Sequence, residues 1–144
     1  MTYTDSKEQQ ELRHEMVSEQ IEGRNISNKA LLDAMRKVPR HFFVPEALIT
    51  EAYSDRALGL GPEQTISQPY VVALMTEILR PVKNHRILEI GTGSGYQAAV
   101  LAQVVKHVYT IEIKEKLHHK ANKTLKSLGY TAIQTRHSDR YFGW

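Results

Sequence analysis

Residues 86–95 constrain the fold of this chain most strongly, because a strand-like run leads directly into a glycine-rich turn. The run Arg86–Ile90 is mainly apolar, and Gly91, Thr92, Gly93, Ser94 and Gly95 follow it before a helix-forming segment begins. Glycine has no Cβ and tolerates positive φ, so backbone there can approach a ligand closely. The start of the next helix offers free N–H groups. The sequence therefore predicts a nucleotide-type binding loop between a strand and a helix.

The segments after this loop alternate between strand and helix patterns. Strands are predicted at 86–90, 107–113 and 131–136, and helices at 96–105 and 114–128, the last helix ending at Gly129. Strands that alternate with helices of this length form right-handed βαβ crossovers and a parallel sheet. The predicted fold class is therefore α/β, with a Rossmann-like parallel sheet.

The part of the chain before the sheet is predicted to be mainly helical. Apolar periodicity predicts helices over 8–21 and 28–38, the second with Ser27 as its N-cap and Pro39 as its stop. A glycine-containing stretch through Gly59 and Gly61 is expected to form a loop or short strands. A further helix should start at Pro69, end before Pro81 and bury a face made by Val71, Val72, Met75, Ile78 and Leu79. We expect one structural domain overall, in which residues 1–84 pack on the sheet and residues 85–144 form the first half of the cofactor-binding unit.

Composition narrows the possible classes of function. The 19 Lys and Arg residues are interleaved with 16 acidic residues, so the net charge of +3 predicts no nucleic-acid partner. No apolar run is long enough to span a bilayer, and we expect a soluble, cytoplasmic protein. The absence of cysteine excludes thiolate nucleophiles and cysteine-based zinc sites, and the seven histidines show no metal-ligand spacing, so no metal is expected.

The glycine spacing separates two classes of cofactor. A dinucleotide fingerprint needs its third glycine at position 96, where this chain has Tyr96, so binding of NAD is disfavoured. Glu112 lies about 20 residues beyond Gly91, at the end of the second predicted strand, where a carboxylate can accept hydrogen bonds from ribose hydroxyls. A purely structural glycine turn and strand-end acid are the alternative interpretation.

The Glu-x-Gly-x-Gly-x-Gly sequence that starts at Glu89 resembles the first motif of class I S-adenosylmethionine methyltransferases. The resemblance implies S-adenosylmethionine as cofactor, with S-adenosylhomocysteine as product. It implies that the cofactor is bound by Glu89, Gly91, Thr92, Gly93, Ser94, Gly95, Glu112, Ile113 and Asp139. Asp139, after the third strand, would meet the adenine amine; without the upstream motifs it would be read as a turn or helix-capping aspartate.

Three separated segments, 38–45, 64–70 and 88–101, closely resemble sequence motifs of the protein-L-isoaspartate O-methyltransferase family at nearly every position. The similarity extends from about residue 10 to Trp144. It implies methyl transfer to the free α-carboxylate of L-isoaspartyl residues in damaged peptides and proteins, which starts their repair. It also implies that Thr65, Ile66, Ser67 and Gln68 bind the substrate, with the hydroxyl of Ser67 positioning the acceptor carboxylate. The alternative for Ser67 is a helix cap before Pro69.

The chain departs from this family in two respects. Ser138 and Arg140 flank Asp139 where the family usually has glycines, so the adenine pocket is expected to be altered. The chain also stops at Trp144, soon after the third predicted strand, whereas the family continues through further strands. We therefore expect Arg86–Ile90 to have an unpaired edge and nearby apolar side chains to face water. The hypotheses that follow are impaired activity and self-association through that edge; the alternative function is a catalytically inactive cofactor-binding or self-assembling fragment of the same family.

Overall fold

The chain folds into a helical N-terminal part followed by alternating strands and helices. The computed structural model describes residues 4–62, 64–139, 141 and 143–144. The elements of these ranges are α1 (Lys7–Glu15), α2 (Lys29–Lys37), β1 (Leu58–Gly61), β2 (Gln64–Ile66), α3 (Pro69–Leu79), β3 (Arg86–Ile90), α4 (Tyr96–Val104), β4 (His107–Glu112), α5 (Glu115–Ser127) and β5 (Gln134–His137). Short π- or 3-10-helical segments lie at Met16–Ile21, Glu22–Arg24, Arg40–Phe43 and Glu46–Glu51.

The parallel sheet confirms the predicted α/β class. Its strand order is β3-β4-β5, both pairings are parallel, and the register places Glu89 opposite Thr110. Among the described strands β3 pairs with β4 alone, as expected for an edge strand. β5 starts at Gln134 rather than at residue 131, because Tyr130 N donates to the Leu125 carbonyl (2.9 Å) and Gly129 takes a positive φ, so the chain is still turning out of α5 there.

The N-terminal helices form where apolar periodicity predicts them, with two differences. The first predicted helix continues to Ile21 as expected, but its α-helical geometry changes to a π-helical segment at Met16. The prediction that Ser27 caps α2 is wrong. The N-cap is Asn28, whose side-chain oxygen accepts from Leu31 N (3.1 Å), whereas Ser27 is exposed. α2 ends at Lys37 because Val38, before Pro39, is held in an extended conformation.

The glycine-containing stretch before α3 forms a β-hairpin, which is one of the two predicted outcomes. β1 and β2 pair antiparallel with Leu58 opposite Ile66, and the register is irregular between Gly59 and Gly61. The hairpin delivers the chain from Ile66 through Ser67 and Gln68 to Pro69, the first residue of α3. The segment that resembles a substrate-binding motif therefore lies between a strand end and a helix start.

A continuous core joins the N-terminal helices to the sheet. α2 packs against α4, α4 against β4, and α5 against β4 and β5. The buried cluster includes Leu31 and Met35 from α2, Ala99 and Leu101 from α4, and Leu125 from α5. None of the helices in the described ranges has the length and apolar character that crossing a membrane requires.

The predicted buried face of α3 is wrong in most of its positions. Val72 is buried, but the exposed fraction is 36% at Val71, 45% at Met75, 69% at Ile78 and 54% at Leu79. α3 turns Val72, Ala73 and Thr76 toward the core instead. No described element covers its opposite side, which explains why periodicity alone overestimated the burial.

Candidate functional site

The glycine loop between β3 and α4 has the backbone geometry that its sequence predicts. Gly91, Gly93 and Gly95 all have positive φ, at 93°, 54° and 89°. Gly91 N and Thr92 N both donate to the Ile111 carbonyl, at 2.8 and 3.1 Å, which ties the loop to β4. The φ values favour glycine at all three positions, because other residues are strained there.

The three glycines differ in their surroundings. A Cβ added at Gly91 or Gly93 would meet nothing within 4 Å, so the loop faces open space there. A Cβ at Gly95 would lie 3.2 Å from the Leu125 side chain. Gly91 and Gly93 thus leave room for a ligand, whereas Gly95 allows α4 to start close against α5.

Glu89 lies at the end of a chain of hydroxyl groups under the loop. The Thr110 hydroxyl donates to Glu89 Oε2 (2.5 Å) and lies 2.6 Å from the Thr92 hydroxyl. Burial raises the pKa of Glu89 to about 7, the Thr110 hydrogen bond opposes this rise, and the nearby charge of Glu112 adds to it. Glu89 is therefore an acid poised to titrate near neutral pH.

Glu112 connects the loop to the start of α5. It is 4% exposed, with Oε2 accepting from Gly93 N and Oε1 from Lys114 N, both at 2.9 Å. A carboxylate has about four acceptor positions, so these two bonds leave others for ligand hydroxyls. The arrangement fixes the carboxylate beside the glycine loop.

Two neighbouring cavities divide most of the predicted site residues between them. The first, of about 330 Å³, is bordered by the predicted residues Thr65, Ile66, Ser67, Glu89, Gly91, Thr92, Gly93 and Ser94. The second, of about 400 Å³, is bordered by the predicted residues Gly91, Glu112, Ile113 and Asp139. Gly91 and Ile90 border both cavities, so a long ligand could extend from one to the other across the loop.

Three predicted residues have surroundings that also support a structural role. Gln68 borders neither cavity, and its side-chain amide donates to Asp55 Oδ1 (2.6 Å). Gly95 packs against Leu125. Asp139 borders the second cavity, but its Oδ1 also accepts from Tyr141 N (2.8 Å), as a turn-forming aspartate does. Arg140, predicted to alter the adenine pocket, lies outside the described residues.

Other residues of the first cavity were not predicted from sequence. Thr110 supports Glu89 from β4, and Tyr96 and Gln97 of α4 border the cavity. Thr110 becomes identifiable once the register of β3 and β4 is known, because it lies opposite Glu89. Within the described ranges, no group of three or more His, Cys, Asp or Glu residues is arranged to hold a metal ion.

Comparison with known proteins identifies the family. The sequence pattern of the protein-L-isoaspartate(D-aspartate) O-methyltransferase family matches residues 10–144. Protein-L-isoaspartate O-methyltransferase 2 of Shewanella sediminis is 60% identical over 140 residues, which cover 97% of this chain and 57% of that protein. A protein-L-isoaspartate O-methyltransferase of Opitutus terrae is 54% identical, over 92% of this chain and 57% of that protein. The chain thus spans less than two thirds of the length of these curated relatives.

Solved structures agree with the sequence comparison. A protein-L-isoaspartate O-methyltransferase superimposes with a TM-score of 0.82 at 28% identity, over 91% of this chain and 44% of that one. A Plasmodium falciparum protein described as a putative protein-L-isoaspartate O-methyltransferase, in complex with S-adenosyl-L-homocysteine, superimposes with a TM-score of 0.75. At 21% identity over 90% of this chain and 64% of that one, it supports the fold alone. From the sequence pattern, the relatives and the shared Rossmann-like fold, this chain belongs to the protein-L-isoaspartate(D-aspartate) O-methyltransferase family.

Proposed function

We propose that this chain binds S-adenosylmethionine and transfers its methyl group to the free α-carboxylate of L-isoaspartyl residues in damaged proteins. The observation that carries the proposal is the first cavity, where Thr65, Ile66 and Ser67 face the glycine loop. Two segments far apart in sequence, each resembling a functional motif of the family, border one space. A donor on the loop and an acceptor at Ser67 can therefore meet.

The residues around the loop fit the proposed cofactor. Open space at Gly91 and Gly93 admits a ligand against the backbone. Glu112 has acceptor positions left for ribose hydroxyls, and the carboxylate of Glu89 suits a positively charged ligand end. When bound, S-adenosylmethionine supplies an activated methyl group on a sulfonium.

The proposed role of Ser67 is to orient the acceptor. Its hydroxyl makes no hydrogen bond to another described residue, and the side chain is half-buried at the cavity border. That hydroxyl donates to the acceptor carboxylate and holds it toward the donor. An ionised carboxylate is already a nucleophile, so alignment in a space that excludes water is sufficient and no strong general base is needed.

Isothermal titration of the 144-residue chain with S-adenosylhomocysteine tests cofactor binding, and transfer of labelled methyl groups to an isoaspartyl peptide tests the reaction. Binding and turnover are expected, and Ser67→Ala should lower turnover without changing S-adenosylhomocysteine affinity. A matched peptide with ordinary aspartate is the control and should accept no label. Absence of both binding and turnover would contradict the proposal for this chain.

A second candidate function is a catalytically inactive, self-associating member of the same family. It is favoured by the exposed apolar side chains of Ile78, Leu79, Leu88 and Ile90, which lie on α3 and on the edge strand β3. Binding of S-adenosylhomocysteine without methyl transfer would favour this function over the first.

We further propose that the chain forms homo-oligomers through the β3 edge. Sedimentation velocity at micromolar concentration should show a dimer or larger species. The double substitution Ile78→Gln and Leu88→Gln should restore the monomer, whereas Leu12→Gln on α1 should not. A wild-type chain that sediments as a stable monomer would contradict it.

We also propose a cytoplasmic location, where the damaged substrate proteins would be found; cell fractionation tests it.

A further inference from the structure

Arg40 is the largest completely buried side chain in the described part of the molecule. It lies in the 3-10 segment Arg40–Phe43, and its exposed fraction is 0%. Burying a guanidinium is costly unless its donors are bonded. Its location within the core therefore calls for a physical reason.

The bonds of Arg40 lead to the proposed acceptor segment. Its Nε donates to the Ala52 carbonyl at 2.7 Å, and its Nη2 donates to the Ser67 carbonyl at 2.9 Å. Ser67 is the residue proposed to orient the acceptor carboxylate. Arg40 thus holds the backbone of Ser67 from the side of the core.

The same guanidinium also contacts the element that carries the glycine loop. Its Cζ lies 4.8 Å from the ring centroid of Tyr96, in a cation–π geometry. Tyr96 is the first residue of α4, directly after Gly95, and it borders the first cavity. One side chain therefore touches both the acceptor segment and the helix that follows the cofactor loop.

The charge of Arg40 has no carboxylate partner within ion-pair distance among the described residues. Burial lowers the pKa of Arg40, because the charged form is removed from water. Two carbonyls and a tyrosine ring are its partners instead. The guanidinium of arginine presents its N–H donors in a fixed planar geometry, whereas the ammonium group of lysine does not.

We propose that Arg40 is a positioning residue, which fixes Ser67 relative to Tyr96 and thereby sets the distance between the acceptor segment and the glycine loop. The proposal rests on the proposed function of Ser67. Arg40 does not touch the substrate; it acts through the Ser67 carbonyl.

The test compares Arg40→Lys with Arg13→Lys. Arg13 is a second buried arginine, 4% exposed, and it bonds to Asp5, Tyr53 and the Arg36 carbonyl but borders neither cavity. Both variants are expected to lose stability in urea unfolding. Only Arg40→Lys should accelerate hydrogen exchange of the amides of residues 66–68, by about tenfold or more.

A second measurement is the affinity for an isoaspartyl peptide in the presence of S-adenosylhomocysteine. Arg40→Lys should weaken peptide binding about tenfold and leave S-adenosylhomocysteine affinity within about twofold, whereas Arg13→Lys should change neither. If the wild-type chain binds no peptide, the proposed function fails, and the exchange measurement still decides the role of Arg40.

Equal exchange rates at residues 66–68 in the two variants would overturn the proposal. Should Arg40→Lys not fold, Tyr96→Leu removes the ring beneath the guanidinium. That variant is also expected to accelerate exchange at residues 66–68. Unchanged exchange in a folded Tyr96→Leu protein would equally count against Arg40 as the positioning residue.

Discussion

Glu89 is the residue whose ionisation should make stability depend most clearly on pH. Its pKa is about 7 in the folded chain, above the ordinary 4.5, because burial disfavours the carboxylate. The folded state binds this proton more tightly than the unfolded state does. The destabilisation that the buried charge causes is therefore absent below about pH 4.5 and complete above about pH 7. Glu89→Gln should therefore raise the free energy of unfolding at pH 8 by about 1–3 kcal/mol, with no gain near pH 4. Urea unfolding at the two pH values measures this.

The control for Glu89 is Glu15→Gln, an exposed acid at the end of α1. It should change stability little at either pH, because its charge stays in water in both states. A Glu89→Gln gain of the same size at both pH values would mean that packing, rather than charge burial, causes it.

Gly91 and Gly95 offer a matched comparison of two uses of glycine. Both have positive φ, but a Cβ at Gly95 would lie 3.2 Å from Leu125 and a Cβ at Gly91 would meet nothing within 4 Å. Gly91→Ala should cost about 1–2 kcal/mol from backbone strain alone, whereas Gly95→Ala should cost about 2–4 kcal/mol because crowding adds to it. Chemical denaturation of both variants measures the difference.

Ligand binding should rank these two variants differently. Per molecule that remains folded, Gly91→Ala should weaken S-adenosylhomocysteine binding more, because its methyl group enters the open space beside the loop. Equal stability losses in the two variants would contradict the role assigned to Leu125.

At the scale of elements, the N-cap of α2 is the contact that distinguishes two adjacent polar residues. Asn28 accepts a hydrogen bond from Leu31 N, and the neighbouring Ser27 is exposed. Asn28→Ala should lower the free energy of unfolding by about 1 kcal/mol, since a free N–H remains at the helix start. Ser27→Ala, as the control, should change it by less than about 0.5 kcal/mol. If thermal or urea unfolding showed a larger stability loss for Ser27→Ala than for Asn28→Ala, Ser27 would be the N-cap instead.

At the scale of the whole molecule, the continuous core predicts that the helical part and the sheet unfold together. Trp144 is the single tryptophan and lies 4.9 Å from the Tyr109 ring on β4, so its fluorescence reports on the sheet. Met35, completely buried on α2, lies in the other part of the core. Met35→Ala should lower stability by about 2–5 kcal/mol and shift the fluorescence and circular dichroism transitions equally. A fluorescence transition that stays in place would indicate that residues 1–84 and 85–144 unfold separately.

Local patterns in the sequence were sufficient to predict most of the elements and the backbone geometry of the glycine loop. The bounds of β3 agree with prediction at both ends, and the positive φ of Gly91, Gly93 and Gly95 follows from glycine placed between a strand and a helix. Such signals are local because the spacing of apolar residues and the conformational freedom of glycine act within a few neighbours.

Which groups meet and which are covered depends on the packing of segments that are distant along the chain. Apolar periodicity on α3 could not tell that Ile78 stays 69% exposed, because burial depends on what the rest of the chain places over that face. Nor did sequence indicate that Arg40 is buried against Tyr96 and the Ser67 carbonyl, since these contacts join segments distant along the chain. Local sequence therefore specifies the strand, the glycine loop and the family motifs, whereas the packing of distant segments creates the cavity in which those motifs face each other.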